Sequence, residues 1–391
     1  DAFSFAGTEF TIAASDANTG LILGETITSA TLTSGATPST ADAGEYAITL
    51  SDIVGANGFT LSNYNITNNG GAFTVDPRPI TVTATDQSKI YGNTFTFDGT
   101  EFTLLDKDAD AVLPNGDLLE TVNLSSTGAV NTANAGDYTI AHTALTDANG
   151  SNGFAAANYA VTYVDGTLTV DPRSVTVTAN DQTKVYGNDG TLAGTEFTVA
   201  ATDATTGLVL GQSIDELNLA SSAEADSENV GNYDITLDAV ADSSGGCLGT
   251  NYNVTFVEGN YAVTARPLTI TADNQSRIYG NSLNLDGTEF SVAAASADTG
   301  LALGQTVTTI NLSSTATDVN VDAGDYAISA DTVTAGTGGF ASSNYDITFV
   351  DGTFTVNQRD LVITAADQSK DYGDAFSFAG TEFTIAASDA N

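Results

Sequence analysis

The 391-residue chain contains no methionine, no tryptophan and a single cysteine, which argues against disulfide bonds and thiol redox chemistry. Positive charge is also scarce, since nine lysines and arginines stand against 49 aspartates and glutamates. The resulting net charge of −40 makes nucleic acids and anionic membrane surfaces poor partners. Apolar runs of about 18 residues are missing, so the sequence predicts no membrane span in this window. These absences point away from nucleic-acid-binding and integral membrane proteins.

Valine, isoleucine, threonine, tyrosine and phenylalanine are abundant and evenly spread, which is typical of β-sheet proteins. Hydrophobic residues make up 41% of the chain, more than a disordered acidic segment contains. The acidic surface fits cations, above all Ca²⁺, and an extracellular milieu whose salt screens self-repulsion. The composition therefore predicts a secreted or cell-surface, β-rich acidic protein.

Internal repetition is the strongest feature of the sequence. The pair Tyr-Gly begins at Tyr91, Tyr186, Tyr279 and Tyr372, with spacings of 95, 93 and 93 residues. In addition, residues 1–18 read DAFSFAGTEFTIAASDAN, and residues 374–391 repeat them letter for letter. We therefore expect a window on a longer repetitive chain, one 373-residue period plus an 18-residue overlap. Head-to-tail strand exchange between chains is disfavoured, because it would need the tail to supply only what the head lacks, whereas these eighteen residues are present at both ends.

An arginine opens each repeat after the first and sets the expected domain boundaries. We number the repeats 1 (residues 1–77, first strand missing), 2 (78–172), 3 (173–265), 4 (266–358) and 5 (359–391, the start of a further unit). Period-two alternation within each repeat predicts antiparallel strands, and Asp165-Gly166 and Asp351-Gly352 predict tight hairpin turns. The linkers are short, and proline stiffens two of them. The expected fold is mostly β, a tandem array of sandwich-like domains, alternatively β-grasp-like, that forms an extended rod.

Four short motifs in fixed order carry a family resemblance. They are D-Q-[ST]-[KR]-x-Y-G, in which repeat 4 has Asn274 for the aspartate, then G-[DEN]-Y, N-Y-x-[IV]-T and G-T-[LF]-T-V. This order resembles the MBG domain of the YGX type and the related YDG domain over the whole chain. The resemblance implies tandem stalk repeats of very large bacterial surface proteins, including filamentous-haemagglutinin-like adhesins. Its implied role is structural or adhesive and not catalytic.

The expected function is therefore an extracellular bacterial filament or adhesin stalk that provides length and stiffness. The alternative is that the repeats themselves bind a ligand such as a glycan or a neighbouring cell surface. The expected partners are adjacent repeats of the same long chain and, through lateral association, identical filaments. We find no repeated histidine, phosphate-binding loop or paired catalytic acids, so the sequence does not indicate an enzyme.

Eight of the nine basic residues occupy only two positions of the repeat. The first is the linker arginine, and the second is the basic residue before x-Tyr-Gly. The linker set is Arg78, Arg173, Arg266 and Arg359, and the second set is Lys89, Lys184, Arg277 and Lys370. We expect structural pairing with carboxylates: an acid across the junction for the linker arginine, and for the second set the glutamate of Gly-Thr-Glu-Phe (Glu101, Glu196, Glu289). The alternative is solvated surface charge of little energetic value.

Aspartates in the loops and linkers are candidate Ca²⁺ ligands. The candidates are Asp16, Asp106, Asp108, Asp110, Asp171 and Asp203. The run from Asp106 begins like an EF-hand loop, but Ala111 stands where the sharp turn needs glycine. Such sites would be irregular, and the alternative is solvated acidic loops.

The single cysteine is better explained by packing than by chemistry. Cys247 aligns with Phe59, Phe154 and Phe340 of the other repeats, counted from the Asn-Tyr pair that follows. A thiol that replaces phenylalanine is expected to be a small buried apolar residue. The repeated tyrosines are likewise expected to serve the core edge, with hydroxyls satisfied by the backbone.

Overall fold

The computed structural model describes residues 2–109, 111–244 and 249–386. Asp110, a candidate calcium ligand, and Cys247, the expected buried thiol, lie outside the described residues. The chain forms two compact units, and each is described by itself. The first contains residues 1–175, 201–212 and 245–254, and the second contains residues 176–200, 213–244 and 255–391.

Strands and short 3₁₀ helices make up the regular structure, which confirms the prediction of a mostly β chain. Repeat 1 has β1 (Thr26–Thr33), β2 (Gly44–Ala56), β3 (Gly71–Val75) and a 3₁₀ helix at Leu61–Asn63. Repeat 2 has β4 (Arg78–Ala84), β5 (Gln87–Ile90), β6 (Phe102–Asp106), β7 (Leu118–Leu119), β8 (Leu124–Ser125), β9 (Gly136–His142), β10 (Gly150–Ser151), β11 (Tyr159–Val164) and β12 (Gly166–Asp171). Its 3₁₀ helices are Pro114–Gly116, Thr127–Ala129, Asp147–Asn149 and Ala156–Asn158.

As described, repeats 3 and 4 each have seven strands where repeat 2 has nine, and repeat 5 has two. Repeat 3 has β13 (Arg173–Ala179), β14 (Gln182–Val185), β15 (Phe197–Val199), β16 (Ser213–Ala220), β17 (Gly231–Ser244), β18 (Tyr252–Val257), β19 (Gly259–Thr264) and a 3₁₀ helix at Ser222–Glu224. Repeat 4 has β20 (Arg266–Ala272), β21 (Gln275–Ile278), β22 (Phe290–Val292), β23 (Thr306–Ser313), β24 (Gly324–Thr337), β25 (Tyr345–Val350), β26 (Gly352–Asn357) and 3₁₀ helices at Thr315–Thr317 and Ser342–Asn344. Repeat 5 has β27 (Ile363–Ala365) and β28 (Phe383–Ile385).

Two sheets build repeat 2 in the first unit. One has the strand order β11-β4-β6 and the other β5-β12-β9-β8, and β7 pairs with β10 beside them. Along β4 the alternate side chains Ile80, Val82 and Ala84 are buried, as the period-two pattern predicts. Ala84 packs with Ile140 and Leu168 of the other sheet, so the core lies between the two sheets.

Repeat 4 in the second unit has the same arrangement. Its sheets have the orders β22-β20-β25 and β21-β26-β24-β23. The four-stranded sheet of repeat 3 has the matching order β14-β19-β17-β16. In repeats 1 and 5 the sheets are smaller, β1-β2-β3 and β27-β28. Among the described residues, no helix is long and apolar enough to cross a membrane.

The sheets are mixed, which corrects the expectation of purely antiparallel strands. The first strand of repeat 2, β4, runs parallel to β11, and β5 runs parallel to β12, both with a register offset of 81 residues. In repeat 4 both parallel pairs have an offset of 79 residues. The opening and closing segments of a repeat therefore run side by side in one direction, and both pass from the first sheet to the second.

The predicted hairpin at Asp165-Gly166 is wrong, because β11 and β12 belong to different sheets. Gly166 is needed for close approach and not for a turn. A Cβ atom there would lie 2.6 Å from the carbonyl oxygen of Ala84. The equivalent Gly259 and Gly352 lie equally close to backbone, with distances of 2.7 and 2.5 Å. Only glycine lets the two crossing segments come this near.

The aspartate of the D-Q motif holds this crossing in place. Asp86 Oδ1 accepts a hydrogen bond of 2.8 Å from the backbone N–H of Thr167, just after Gly166. In repeat 4, Asn274 Oδ1 accepts the equivalent bond, also of 2.8 Å, from Thr353. The position needs an acceptor oxygen and not a charge, which explains why asparagine replaces aspartate in repeat 4.

Replacing Asn274 with aspartate should therefore leave the crossing intact. We expect Asn274→Asp to change the local stability by less than about 0.5 kcal/mol, and Asn274→Ala to cost about 0.5–1 kcal/mol because the Thr353 amide loses its acceptor. The rate of hydrogen exchange at the Thr353 amide measures the local stability in both variants. Equal loss of protection in the two variants would show that the acceptor oxygen is not what matters.

Candidate functional site at the repeat junctions

The linker arginine between repeats 2 and 3 is almost fully buried. Arg173 is 1% exposed, and its guanidinium donates to backbone carbonyls on both sides of the junction. Within repeat 3 it donates to the backbone carbonyl oxygens of Asp203, Thr206 and Gly207, the last at 3.0 Å. Its Nη1 also donates over 3.2 Å to the carbonyl of Tyr91, in the Tyr-Gly turn of repeat 2. One side chain thus joins two consecutive repeats.

Arg266 does the same between repeats 3 and 4, within the second unit. Its Nε donates to Gly300 O at 3.0 Å and its Nη2 to Ser296 O at 2.6 Å. Its Nη1 donates to the carbonyl of Tyr186 at 3.2 Å and to Asn188 Oδ1 at 3.1 Å. Because a guanidinium offers five N–H groups in a rigid fork, it can satisfy a loop and a turn together.

The partners of these two arginines differ from those we expected. Their acceptors are carbonyl and amide oxygens, and not a carboxylate across the junction. The expectation failed because backbone carbonyls in the folded loops act as acceptors, and a sequence pattern does not reveal which carbonyls will face the arginine. Arg78 is different, since its Nη2 lies 2.5 Å from Asp106 and 2.7 Å from Asp108, both in its own repeat. Arg359 is exposed and donates to Tyr279 O at 3.1 Å.

The second basic position is buried in each complete repeat. Lys184 Nζ donates to the carbonyl oxygens of Asn188 and Ala225, at 3.1 and 2.5 Å. Lys89 bonds two carbonyls in the same way, and burial lowers the pKa of both lysines. Arg277 takes this place in repeat 4, whereas Lys370 is exposed and donates to Asp374 O at 3.1 Å.

The glutamate of Gly-Thr-Glu-Phe is not the partner of this basic residue, so that expectation was wrong. Its carboxylate accepts hydrogen bonds from the backbone N–H groups of its own turn. The bond from the motif's glycine measures 3.0 Å at Glu101, Glu196 and Glu289 alike. The glutamate shapes its own turn and leaves the basic residue to the backbone carbonyls.

Replacing Arg277 with lysine should cost much less stability than removing the basic group. Arg277 donates to Ala316 O, Asn281 O and Asp318 O, and a lysine can reach the last two as Lys184 reaches their equivalents. We expect Arg277→Lys to cost about 1 kcal/mol, and Arg277→Met about 2–3 kcal/mol because buried carbonyls lose their donors. Thermal unfolding measures the stability of both variants. Equal losses of stability would contradict the assignment of the buried carbonyls as the partners of this basic residue.

A junction glutamine links tyrosines of consecutive repeats. Gln305 Nε2 donates over 2.9 Å to the hydroxyl of Tyr186 in the preceding repeat, and its Oε1 accepts from Tyr345 at 2.6 Å. The two tyrosine rings meet edge to face with centroids 5.7 Å apart. Gly187 lies against Ala302, where an added Cβ would be 2.5 Å from the alanine Cβ.

The junction in the first unit repeats this arrangement. Gln212 Nε2 donates to the Tyr91 hydroxyl at 3.2 Å, and Gln212 Oε1 accepts from Tyr252 at 2.5 Å. The rings of Tyr91 and Tyr252 are 5.4 Å apart, again edge to face. Because a glutamine side chain both donates and accepts, it can serve the tyrosine of each repeat at once.

A junction asparagine, the residue before tyrosine in the Asn-Tyr pair, also crosses each of these boundaries. The side chain of Asn344 accepts from Val230 N at 3.0 Å and donates to Asn229 Oδ1 at 2.8 Å. Asn251 makes the same two bonds with repeat 2, and Asn158 makes them with repeat 1. Asparagine therefore occupies this junction position at all three boundaries.

The candidate calcium ligands do not come together in the described residues. Asp106 and Asp108 contact Arg78, and Asp171 is exposed on the last strand of repeat 2. Asp16 and Asp203 accept hydrogen bonds from backbone N–H groups of their own loops. In the part of the chain that the structure describes, no group of three or more acidic, histidine or cysteine side chains is arranged to hold a metal ion.

The Asp203 turn should reveal itself by its titration. Hydrogen bonds from the backbone N–H groups of Thr205 and Thr206 lower the pKa of this carboxyl to about 2, from an ordinary 3.8. Since the folded pKa is depressed, its stabilising contribution is complete above about pH 4 and is lost as the pH falls through 2. Carbon-detected NMR of the carboxyl group gives the pKa directly, and a value near 3.8 would contradict the turn geometry.

Sequence reasoning identified the linker arginine but missed the junction glutamine and asparagine. The signal for the asparagine was present, since it precedes tyrosine at Asn63, Asn158, Asn251 and Asn344. The glutamine was harder to find, because its position in the repeat is not always glutamine. Glu25 occupies it in repeat 1 and Asp117 in repeat 2, and each carboxylate accepts a hydrogen bond from the tyrosine hydroxyl of its own repeat. Only the structure shows that the position faces the preceding repeat.

Comparison with protein families places these contacts in a known kind of repeat. Three stretches match the MBG domain (YGX type), at residues 80–169, 175–262 and 268–355. The chain belongs to the MBG domain family of the YGX type. Each MBG match includes a Tyr-Gly turn and an Asn-Tyr pair, whereas Arg173 and Arg266 fall between the matches. The junction therefore combines motif positions that recur in each matched stretch with an arginine from the linker.

Other comparisons add little to the MBG assignment. No curated protein matches the chain. The crystal structure of Drosophila N-cadherin EC1-4 aligns at 9% identity over 81% of this chain and 83% of that one, with a TM-score of 0.19. The Bacillus anthracis TIE protein aligns at 6% identity over 87% of this chain and 67% of that one, with a TM-score of 0.16. Similarities this weak carry no structural argument.

Proposed function

We propose that these MBG repeats are the structural region of an extracellular bacterial filament or adhesin stalk, to which they give length and stiffness. The observation that carries the proposal is the linker arginine, buried at the boundaries of repeats 2 and 3 and of repeats 3 and 4. At both boundaries its guanidinium bonds the preceding Tyr-Gly turn as well as a loop of its own repeat.

Three kinds of contact would resist bending at each boundary. Rotation of repeat 4 against repeat 3 would separate Arg266 from Tyr186, Gln305 from the Tyr186 hydroxyl, and Asn344 from Val230. Buried polar groups left without partners cost about 1–3 kcal/mol each, so a bent junction would be a rare state. This argument supports stiffness within each boundary.

The charge of the chain supports an extracellular site. A net charge of −40 is best tolerated where salt screens it over about 8 Å. The proposal includes stabilisation by cations such as Ca²⁺ and lateral association of identical filaments. Both would depend on ions between acidic surfaces, so chelation should loosen such bundles.

Immuno-electron microscopy of the bacterium that produces the protein tests the location. Antibodies raised against the 391-residue chain should label intact cells and the filaments that extend from them, and EDTA should separate laterally associated filaments. Label confined to lysed cells would overturn the extracellular assignment. A glycan array probed with the same chain tests the ligand-binding alternative, and specific binding there would favour an adhesive module over a passive stalk.

A further inference from the structure

The three-stranded sheet of repeat 2 has an uncharged outer face. Along β4, Thr81 and Thr83 alternate with buried core residues, so their side chains lie on the outside of the sheet. Thr81 lies beside Thr162 of β11, and Thr83 lies beside Val164 of the same strand. On the other side of β4, Thr81 lies beside Leu105 of β6, which is 48% exposed. The other outward-facing positions of the three strands are also uncharged, namely Pro79, Thr103 and Ala160. We call this surface, and its equivalent in the later repeats, the neutral face.

Three threonines and a valine recur on the neutral face of each complete repeat. In repeat 3 they are Thr176, Thr178, Thr255 and Val257. In repeat 4 they are Thr269, Thr271, Thr348 and Val350, and they pair across β20 and β25 as their equivalents pair in repeat 2. The valine is exposed to almost the same extent in the three repeats, by 43%, 42% and 41%. The neutral face is therefore a recurring surface and not a chance property of one repeat.

Negative charge lies on the other outer face of the repeat. There, on the four-stranded sheet, each complete repeat has an exposed aspartate beside the tyrosine of the G-[DEN]-Y motif, namely Asp137, Asp234 and Asp325. We call this surface the acidic face. The neutral face has one carboxylate in the three repeats, Asp346, which lies at its end beside Pro267. In a chain with 49 acidic residues, this division gives each repeat one outer face that a second negatively charged body can approach.

The chemistry of the neutral face is complementary to itself. A threonine hydroxyl both donates and accepts hydrogen bonds, so two identical threonine surfaces can satisfy each other, whereas carboxylates only accept and repel one another. Threonine and valine are branched at Cβ and stiff at χ1, so they lose little side-chain freedom when a surface covers them. A basic partner would be drawn to the acidic face instead. The occupant that fits the neutral face is therefore the neutral face of a second copy.

The size of the neutral face requires more than one repeat for stable contact. Six residues of β11 and three adjacent strands give a surface of about 20 Å by about 14 Å. Two such faces in contact bury about 560 Å² in total, roughly half of the ~1,000 Å² that a specific protein interface needs. The chain carries three neutral faces, so contact through two or three of them reaches this size. Association should therefore strengthen with the number of repeats that take part.

We propose that the neutral face is the surface through which identical chains associate side by side, sheet against sheet. This inference rests on the lateral association included in the proposed function, and it names the surface that carries that association. Threonine and valine side chains of two copies meet at the centre of the contact, at the spacing of about 10 Å usual for packed sheets. The acidic faces then lie away from the contact, where cations screen them.

Sedimentation of the 391-residue chain over a range of concentrations, at physiological ionic strength with Ca²⁺ present, tests the proposal. We expect concentration-dependent association of whole chains. One variant combines Thr162→Asp, Thr255→Asp and Thr348→Asp, which place a charge at an exposed position on the neutral face of each complete repeat. Its association constant should fall at least tenfold. Thermal unfolding should show that the variant is folded, because β25 already carries the exposed Asp346.

The matched control adds the same charge to the acidic face. It combines Thr139→Asp, Thr236→Asp and Ser329→Asp, which are exposed positions on the four-stranded sheets of the same three repeats. Because the net charge of the two variants is equal, general repulsion between chains is equal as well. The control should change the association constant less than twofold.

Single cysteines provide a second test that adds no charge. In a Cys247→Ala background, a short bismaleimide should join two copies through Thr162→Cys at least tenfold faster than through Thr139→Cys. Equal rates of cross-linking, or equal losses of association in the two aspartate variants, would overturn the neutral face as the contact surface and leave lateral association standing. A chain that stays monomeric throughout would overturn both the neutral-face contact and lateral association. Neither result bears on the stiffness or the location of the stalk, which spin-label distances and cell labelling test separately.

Discussion

Arg266→Ala is expected to open the boundary between repeats 3 and 4. The substitution removes the donor for the carbonyls of Tyr186, Ser296 and Gly300. Buried acceptors without a donor cost about 1–3 kcal/mol each, and part of this is recovered because a buried charge is also removed. We expect a net local loss of about 3 kcal/mol. Native-state hydrogen exchange measures it as roughly a hundredfold faster exchange at the Gly300 amide, which bonds Pro267 O in the folded loop.

The same chain provides the matched control, because Arg359 is the exposed equivalent of Arg266. Arg359→Ala should change the stability by less than about 0.5 kcal/mol. Arg266→Lys should lie between the two, since an ammonium cannot bond the loop and the turn with the geometry of a guanidinium. Similar, small losses for Arg266→Ala and Arg359→Ala would show that the buried arginine does not hold the junction.

Gly352→Ala is expected to disturb the place where the opening and closing segments of repeat 4 cross. The new methyl group would lie 2.5 Å from the carbonyl oxygen of Ala272, which is backbone and cannot rotate away. Forcing a packed core apart costs about 1–3 kcal/mol, and here the displaced strand β20 also carries the buried Ile270. We expect the loss to fall at the upper end of this range, measured as a lower melting temperature for repeat 4.

Gly71 is the equivalent residue of repeat 1 and serves as its control. An added Cβ there meets the Ile48 side chain at an ordinary 3.5 Å, because no opening strand lies beside it in the described structure. Gly71→Ala should therefore be close to neutral in the isolated chain. If Gly352→Ala proved equally neutral, close approach would not be the reason for glycine at this position.

The sequence alone was sufficient for the period and for the β-strand character of the repeats. Period-two alternation predicted half-buried strands, and in β4 and β20 every second apolar side chain (Ile80, Val82, Leu268 and Ile270) is buried. The restriction of basic residues to two repeat positions also drew attention to Arg173 and Lys184, which are buried as well. Period and charge are visible in a sequence because each recurs at fixed spacing.

Strand direction and hydrogen-bond partners could not be obtained in this way. Period-two alternation is the same for parallel and antiparallel strands, and Asp165-Gly166 carries the usual signal of a hairpin. The acceptors of Arg173 are backbone carbonyls, which every residue possesses and no motif marks. Gln305 looked like any loop residue, because its function depends on a tyrosine 119 positions away.

The most direct test of the central claim, that consecutive repeats are held rigidly at their junction, is a pulsed electron–electron spin distance measurement across repeats 3 and 4. Spin labels are placed at Thr236→Cys and Thr353→Cys, two exposed strand positions, in a Cys247→Ala background. Dilution with unlabelled chain suppresses distances between copies. The account predicts one narrow distance distribution that broadens in the Arg266→Ala variant. A broad distribution in the chain that retains Arg266, or a width that Arg266→Ala leaves unchanged, would contradict it.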